Sequence, residues 1–268
     1  VPHILIVGCG YTGRRVANLL AAERHEVVAT SRDTENLAGL PVTALRFNND
    51  NDSDISKLKD AVDSDSRVLL STPVVDARLA GAIGAAKRIV FLSTTGVYGA
   101  QRDVNESSRP APRTEREFAR LRSEECLPPA AMILRPAAIY GPHRGIHSAM
   151  RAGKYRLAGD GANYVSRIHV DDLAAHAAAA LFAGITGAWP VADEEPCTSR
   201  EIAEFCSRLL GIPMPPSAAT EELSETRQTD RRVDGSAVRR LLGLTLQYPS
   251  YRSGIPACAA AEAAERAF

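Results

Sequence analysis

Gly8, Gly10 and Gly13 stand at G-x-G-x-x-G spacing in VGCGYTG, between the apolar run Ile4-Leu5-Ile6-Val7 and the periodic face Val16, Ala17, Leu19, Leu20. That pattern suits a dinucleotide. The first glycine permits a sharp strand-to-helix turn, the second lets a pyrophosphate approach the backbone, and the third lets helix and strand pack closely. The diphosphate would lie against a helix N-terminus, with Tyr11 and Thr12 in the same loop completing the cofactor-binding set. At the end of the second strand an acidic residue would bond the ribose hydroxyls of NAD. The chain has Thr30-Ser31-Arg32 there. A hydroxyl and a guanidinium fork suit a 2′-phosphate, so Ser31 and Arg32 point to NADP, with NAD the less favoured cofactor. Asp33 leaves two alternatives, reaching a ribose or pairing with Arg32. Arg14 and Arg15 have two readings as well, neutralising phosphate or standing in solvent.

The elements around this loop bound what it can serve. At 268 residues, the chain can bury a sizeable core as one large α/β domain or as a nucleotide-binding core with a smaller lobe. Lysine plus arginine equals aspartate plus glutamate at 32 each, so no global field recruits nucleic acid or a membrane surface. The five cysteines, Cys9, Cys126, Cys197, Cys206 and Cys258, are scattered without metal-ligand spacing and read as reduced, packed thiols; no metal is expected. No signal peptide precedes the first strand and no apolar run reaches the ~18 residues of a membrane span. The expectation is a soluble cytoplasmic protein.

Strand-like runs at 3–8, 26–30, 42–47, 67–71, 88–94 and 131–136 alternate with helical periodicity at 14–24, 55–62, 76–86 and 114–127. Most of the strand runs are continuously apolar, as in parallel sheets covered on both faces. The order predicts an α/β fold, a Rossmann-type doubly wound parallel sheet with a smaller C-terminal substrate lobe. Residues 1–145 plus 165–193 would form the NADP-binding domain, and 146–164 plus 194–268 the substrate-binding lobe. A helix is expected over 170–181, and another from about Arg200, capped by Thr198 or Ser199, with Glu201 in its first turn. The proline-rich, then charged, segment 211–232 reads as a mobile loop, and the alanine-rich tail 257–268 as a packing helix.

Four motifs in order, GCGYTG, LSTTGVYG (92–99), LRPAAIYGP (134–142) and RIHVDDLA (167–174), resemble the extended short-chain dehydrogenase/reductase superfamily, in its NAD(P)-dependent epimerase/dehydratase group. The resemblance implies a cofactor domain with a substrate lobe that often takes nucleotide sugars. Thr94 takes the place of the Ser/Thr that hydrogen-bonds the reacting carbonyl or alcohol. Ser71, Thr72 and Pro73 follow the fourth strand, where the family's chain passes the cofactor; Arg135 and Pro136 end the strand near the nicotinamide. Tyr140 begins the turn into the substrate lobe, and His169 and Asp171 resemble that lobe's anchor.

The family's proton relay is a Tyr-x-x-x-Lys pair on the helix after VYG. Aligning Glu124 with the acidic residue that often follows this pair puts Arg116 at the tyrosine position and Arg120 at the lysine position. Arginine stays protonated, with a pKa above ~12, so neither residue is a general acid or base. Either can stabilise an oxyanion or hold an anion, or both stand on a solvated helix face. The departure resembles an atypical subgroup that lacks the active-site tyrosine. Tyr98 is then the nearest tyrosine to Thr94. Tyr140, His143, His147 and His169 are substrate-side candidates, the histidines because imidazole titrates near neutral pH. Tyr164 can face the cleft or pack against it. Arg227, Arg231 and Arg232 could meet a substrate pyrophosphate or pair with Glu221, Glu222 and Glu225. The leading reading is an NADP-dependent oxidoreductase or epimerase-like enzyme with an unconventional proton donor, monomeric or homodimeric, acting on a small molecule such as a nucleotide sugar. The alternative is a non-catalytic NADP(H)-binding redox sensor; a third is a scaffold with a vestigial site.

Overall fold

Ile4 and Ile6 point to one face of the first strand and Leu5 and Val7 to the other, and all four are buried because both faces are covered. This strand lies inside a seven-stranded sheet, third from one edge, in the computed structural model, which describes residues 3–224 and 228–266. The strands are β1 (Ile4–Val7), β2 (Val27–Ser31), β3 (Thr43–Arg46), β4 (Arg67–Leu70), β5 (Arg88–Leu92), β6 (Met132–Pro136) and β7 (Gly187–Val191). All neighbours run parallel, in the order β7-β6-β5-β4-β1-β2-β3. The chain winds outward from β1 through β2 and β3, then returns to β4, leaving a crevice between β1 and β4 at the carboxyl ends of the strands. Such switch points hold ligands in doubly wound sheets.

Helices α1 (Tyr11–Ala22) and α6 (Val170–Phe182) cover one face. Their Val16, Leu20, Leu173 and Ala177 pack on Ile4 and Ile6. On the other face α2 (Asp52–Asp60) and α3 (Ala77–Ala82) bring Leu58 and Leu79 against Leu5 and Val7. Helix α4 (Glu115–Glu125) starts at a capping box, Thr114 accepting from the Glu117 N–H and the Glu117 carboxylate from the Thr114 N–H.

A second core gathers Tyr140, Ile146, Ile202, Cys206, Tyr251 and Ile255 around α5 (Ile146–Arg151), α7 (Ser199–Leu210) and α9 (Tyr251–Arg266). Helix α8 (Ser236–Leu241) packs on β7. As the sequence predicts, Thr198 caps α7, and Glu201 closes a capping box.

Three elements depart from the sequence reading. Strand β7 carries Pro190, opposite Arg135; proline within an apolar run argues against a strand, but at a sheet edge its missing N–H leaves no gap. Helix α9 begins at Tyr251 and runs through Pro256, six residues before the expected tail helix. In the segment read as a mobile loop, Ser217–Ala218 pairs with Leu157–Ala158, and Arg232–Val233 pairs with Asp103–Val104.

Candidate active site

The three glycines meet three different demands. Gly8 has φ +84°, and a Cβ there would lie 3.1 Å from the Ser71 carbonyl oxygen. Its N–H donates to Thr30 Oγ1 at 2.9 Å, tying the loop to β2. A Cβ on Gly13 would sit 3.3 Å from both the Gly8 oxygen and Ile6 Cγ2. Gly10 is the N-cap of α1, supplies no side-chain cap, and opens onto free space. The first N–H groups of α1 therefore face an open cradle that a side chain at position 10 would fill, which fits a dinucleotide diphosphate. Thr12 is buried. The Tyr11 hydroxyl donates to the Pro142 carbonyl at 2.8 Å, and the guanidinium carbons of Arg15 and Arg144 lie 4.5 Å and 5.2 Å from its ring. Burial pushes the phenol up to about 12.

At the end of β2, Ser31 Oγ accepts from the Asp33 N–H. Asp33 in turn accepts from the Glu35 N–H at 3.0 Å, capping the turn Thr34–Leu37. One of its carboxylate oxygens is thereby used within the turn. Arg32 is exposed and, among the described residues, forms no ion pair, so the expected alternative of an Asp33–Arg32 pair does not occur. Arg14 donates to the Asn36 carbonyl, beside this turn, whereas Arg15 is tied to Asp171 at 2.8 Å.

Thr94 follows β5 and caps the turn Thr95–Tyr98, its Oγ1 accepting from the Gly96 N–H at 3.1 Å. An accepted bond leaves the hydroxyl proton available to a ligand oxygen. Thr94 lines a cavity of about 130 Å³ with Ala137, Ser166, Thr229, Arg231 and Val233. Tyr98 is only 1% exposed, and its hydroxyl accepts from Arg135 Nη1 at 3.1 Å. Pro136 is buried at the end of β6.

Arg116 and Arg120, one turn apart, separate. Arg116 is exposed. Arg120 is half-buried; its Nη1 donates to the Thr72 carbonyl at 3.3 Å, and its guanidinium lies 5.5 Å from the Phe91 ring. Burial pulls its pKa down. Arg120 thus reaches the Ser71-Thr72-Pro73 segment at the crevice.

The substrate-side candidates are divided. Tyr140 lines a cleft of about 400 Å³ with Arg144, Tyr155, Arg156 and Arg167. Its hydroxyl donates to the Ser250 carbonyl at 3.3 Å, and burial drives its pKa far up. His147 is wholly buried against Glu262 at 3.1 Å, with its pKa pulled down by desolvation. His169 is 2% exposed, accepts from the Asp171 N–H, contacts Cys258 Sγ at 3.4 Å, and is held at about 4 by burial. His143 is on the surface, 2.6 Å from Glu265. Helix α9 covers His147 and His169 and engages His143 through Glu262 and Glu265.

The basic cluster is divided too. Arg227 and Glu225 lie outside the described residues. Arg231 is buried and donates to the carbonyls of Thr95 at 2.7 Å, Gln101 at 3.0 Å and Gly99. Arg232 pairs with Asp103 at 3.4 Å, its guanidinium 3.8 Å from the Tyr164 ring. Neither takes Glu221 or Glu222 as partner. Arg144 and Arg156 were missed by sequence reasoning because they stand among glycines without periodicity, and Arg167 because the RIHVDDLA motif was read for its His169 and Asp171.

A doubly wound sheet with an open glycine cradle at its switch point is a Rossmann-type dinucleotide-binding fold. The chain belongs to the NAD dependent epimerase/dehydratase family, whose model matches residues 4–188. A functionally unknown conserved protein from Silicibacter pomeroyi DSS is similar, at 28% identity and TM-score 0.81 over 97% of this chain and 99% of that one. UDP-glucuronic acid 4-epimerase from Bacillus cereus, solved with NAD, shares the fold at 19% identity and TM-score 0.76, over 94% of this chain and 95% of that one. MoeE5, solved with UDP-glucose and NAD, does so at 19% identity and TM-score 0.76, over 95% and 96%. No curated protein matches the sequence significantly. Among the described residues no helix is long and apolar enough to cross a membrane, and no group of three or more metal-ligating side chains gathers.

Proposed function

We propose that the chain is an NADP-dependent, epimerase-like oxidoreductase acting on a carbonyl or alcohol of a nucleotide sugar. The observation that carries this reading is the Thr94 hydroxyl, free to donate, in a cavity that shares Ala138 and Val165 with the arginine-lined cleft. Gly8, Gly10, Tyr11, Thr12 and Gly13 would hold the diphosphate at the head of α1. Ser31 and Arg32 would hold a 2′-phosphate, with Arg14 close by; the exposed Arg32 guanidinium at the end of β2 supports NADP over NAD. When bound, the nicotinamide supplies or accepts a hydride.

Thr94 would polarise the substrate oxygen. Arg120 would take the ribose-binding part of the usual lysine, without its role in tuning a tyrosine. Arg144 and Arg156 would receive the substrate diphosphate, beside buried Arg167, whose Nη1 is held by the Val165 carbonyl, with Tyr140 forming part of the wall. Residues 146–164 and 194–268 would serve as the substrate side.

A second reading, a non-catalytic NADP(H)-responsive regulator, is favoured by one observation. The only charged side chain lining the Thr94 cavity among the described residues is Arg231, whose guanidinium is engaged by three carbonyls. Calorimetric titration with NADPH, NADH and UDP tests both. Tight NADPH binding, weakened about tenfold or ~1.4 kcal/mol by Arg32→Ala, supports the cofactor assignment; turnover of bound NADPH with a nucleotide sugar separates enzyme from regulator. Absence of binding by either dinucleotide would refute both readings.

A further inference from the structure

Helix α4 reads EREFARLRSEE, and its buried residues are Ser123 and Glu124 rather than an apolar stripe. Its largest apolar side chain, Phe118, is 41% exposed. Leu121, partly buried, packs against the cluster of Val97, Tyr98 and Val104, a single apolar anchor that constrains the rotation of α4 less than the apolar stripe constrains that of α1. Polar contacts complete the constraint. Glu124 accepts from Arg135 Nε at 3.1 and 3.2 Å and from Nη2 at 2.6 Å, with both side chains at most 6% exposed. Ser93, the residue before Thr94, donates to the same carboxylate at 2.5 Å. The remaining arm of Arg135 reaches Tyr98, the last residue of the turn that Thr94 caps. Ser123 Oγ, on the same helix, accepts from the Val75 N–H at 3.1 Å. One buried network thus joins α4, the end of β6, and both ends of the Thr94 turn.

We propose that Glu124 and Arg135 are positioning residues for the nicotinamide end of the cofactor site. The pair sets the rotation of α4 so that Arg120, one turn earlier, meets the Thr72 carbonyl, and it fixes the turn from which Thr94 acts. The assignment rests on the cofactor reading above. Its energetic logic is specific: apolar residues of similar volume can replace a buried ion pair with little loss of stability, whereas the directional bonds that select one geometry have no apolar substitute.

That difference supplies the test. In the double variant Glu124→Leu/Arg135→Met the fold should persist by circular dichroism and thermal unfolding. Its Kd for NADPH should rise about tenfold, as for loss of one charge-assisted hydrogen bond. Adenosine 2′,5′-bisphosphate, which matches only the adenine end, should bind as it does to the wild-type chain. If the double variant fails to fold, Arg135→Lys keeps the charge, loses the fork, and should show the same split. NADPH binding unchanged from wild type, or both ligands weakened equally, would overturn the positioning role while leaving the cofactor assignment standing. A wild-type chain that does not bind NADPH would overturn both.

Discussion

Asp193 follows β7 and is 4% exposed, and its carboxyl group meets no side-chain donor among the described residues, only the backbone of Glu195. Burial pushes its pKa up to about 8 from an ordinary 3.8, against the partial pull of nearby Arg167. A carboxyl whose folded pKa is raised favours the native state fully below its unfolded value, and that contribution is lost as pH rises through the folded one. At about 1.4 kcal/mol per pH unit across this window, the loss between pH 4 and pH 8 is on the order of 5 kcal/mol. That is a large part of the 5–15 kcal/mol typical of a domain. Asp193→Asn keeps the shape and cannot ionise. Urea unfolding of both proteins at a series of pH values isolates the difference, because carboxyls such as Asp172, also raised by burial, titrate in both. The variant should match the wild type near pH 4 and exceed it by several kcal/mol near pH 9. Parallel stability curves, or a variant less stable at pH 9, would refute the argument.

Thr94→Val should abolish turnover while leaving NADPH affinity within about twofold, and loss of its cap should cost about 1 kcal/mol in chemical unfolding. Gly8→Ala places a Cβ 3.1 Å from the Ser71 carbonyl at φ +84°; unfolding should show a loss of about 2 kcal/mol, and calorimetry a weaker dinucleotide. Glu262 accepts from the His143 N–H, His147 and Arg151 while almost wholly buried. Glu262→Ala should therefore cost about 3 kcal/mol, measured by the shift of the urea midpoint.

The glycine loop was legible because each of its glycines answers a local requirement, and β1, β4 and β5 because strands buried on both faces leave continuous apolar runs. Strand β7 was not, since Gly187 and Pro190 act as breakers in sequence and are tolerated only at the edge the tertiary structure provides. The arginines also escaped a linear reading. Arg116 and Arg120 share a helix face in sequence, yet only Arg120 reaches the sheet. Arg231 reads as one charge in a cluster, and its burial depends on carbonyls more than 100 residues away in sequence. His143 and His147 were candidates for the chemistry of imidazole near the turn into the lobe, whereas their partners come from α9, whose tail reads only as alanine-rich packing.

The family match ends at residue 188, but the turn bearing Thr94 is pinned from beyond that limit, by Arg231. The segment the family model matches thus draws part of its order from chain outside it. A fragment cut after the seventh strand would leave the carbonyls of Thr95, Gly99 and Gln101 without this donor.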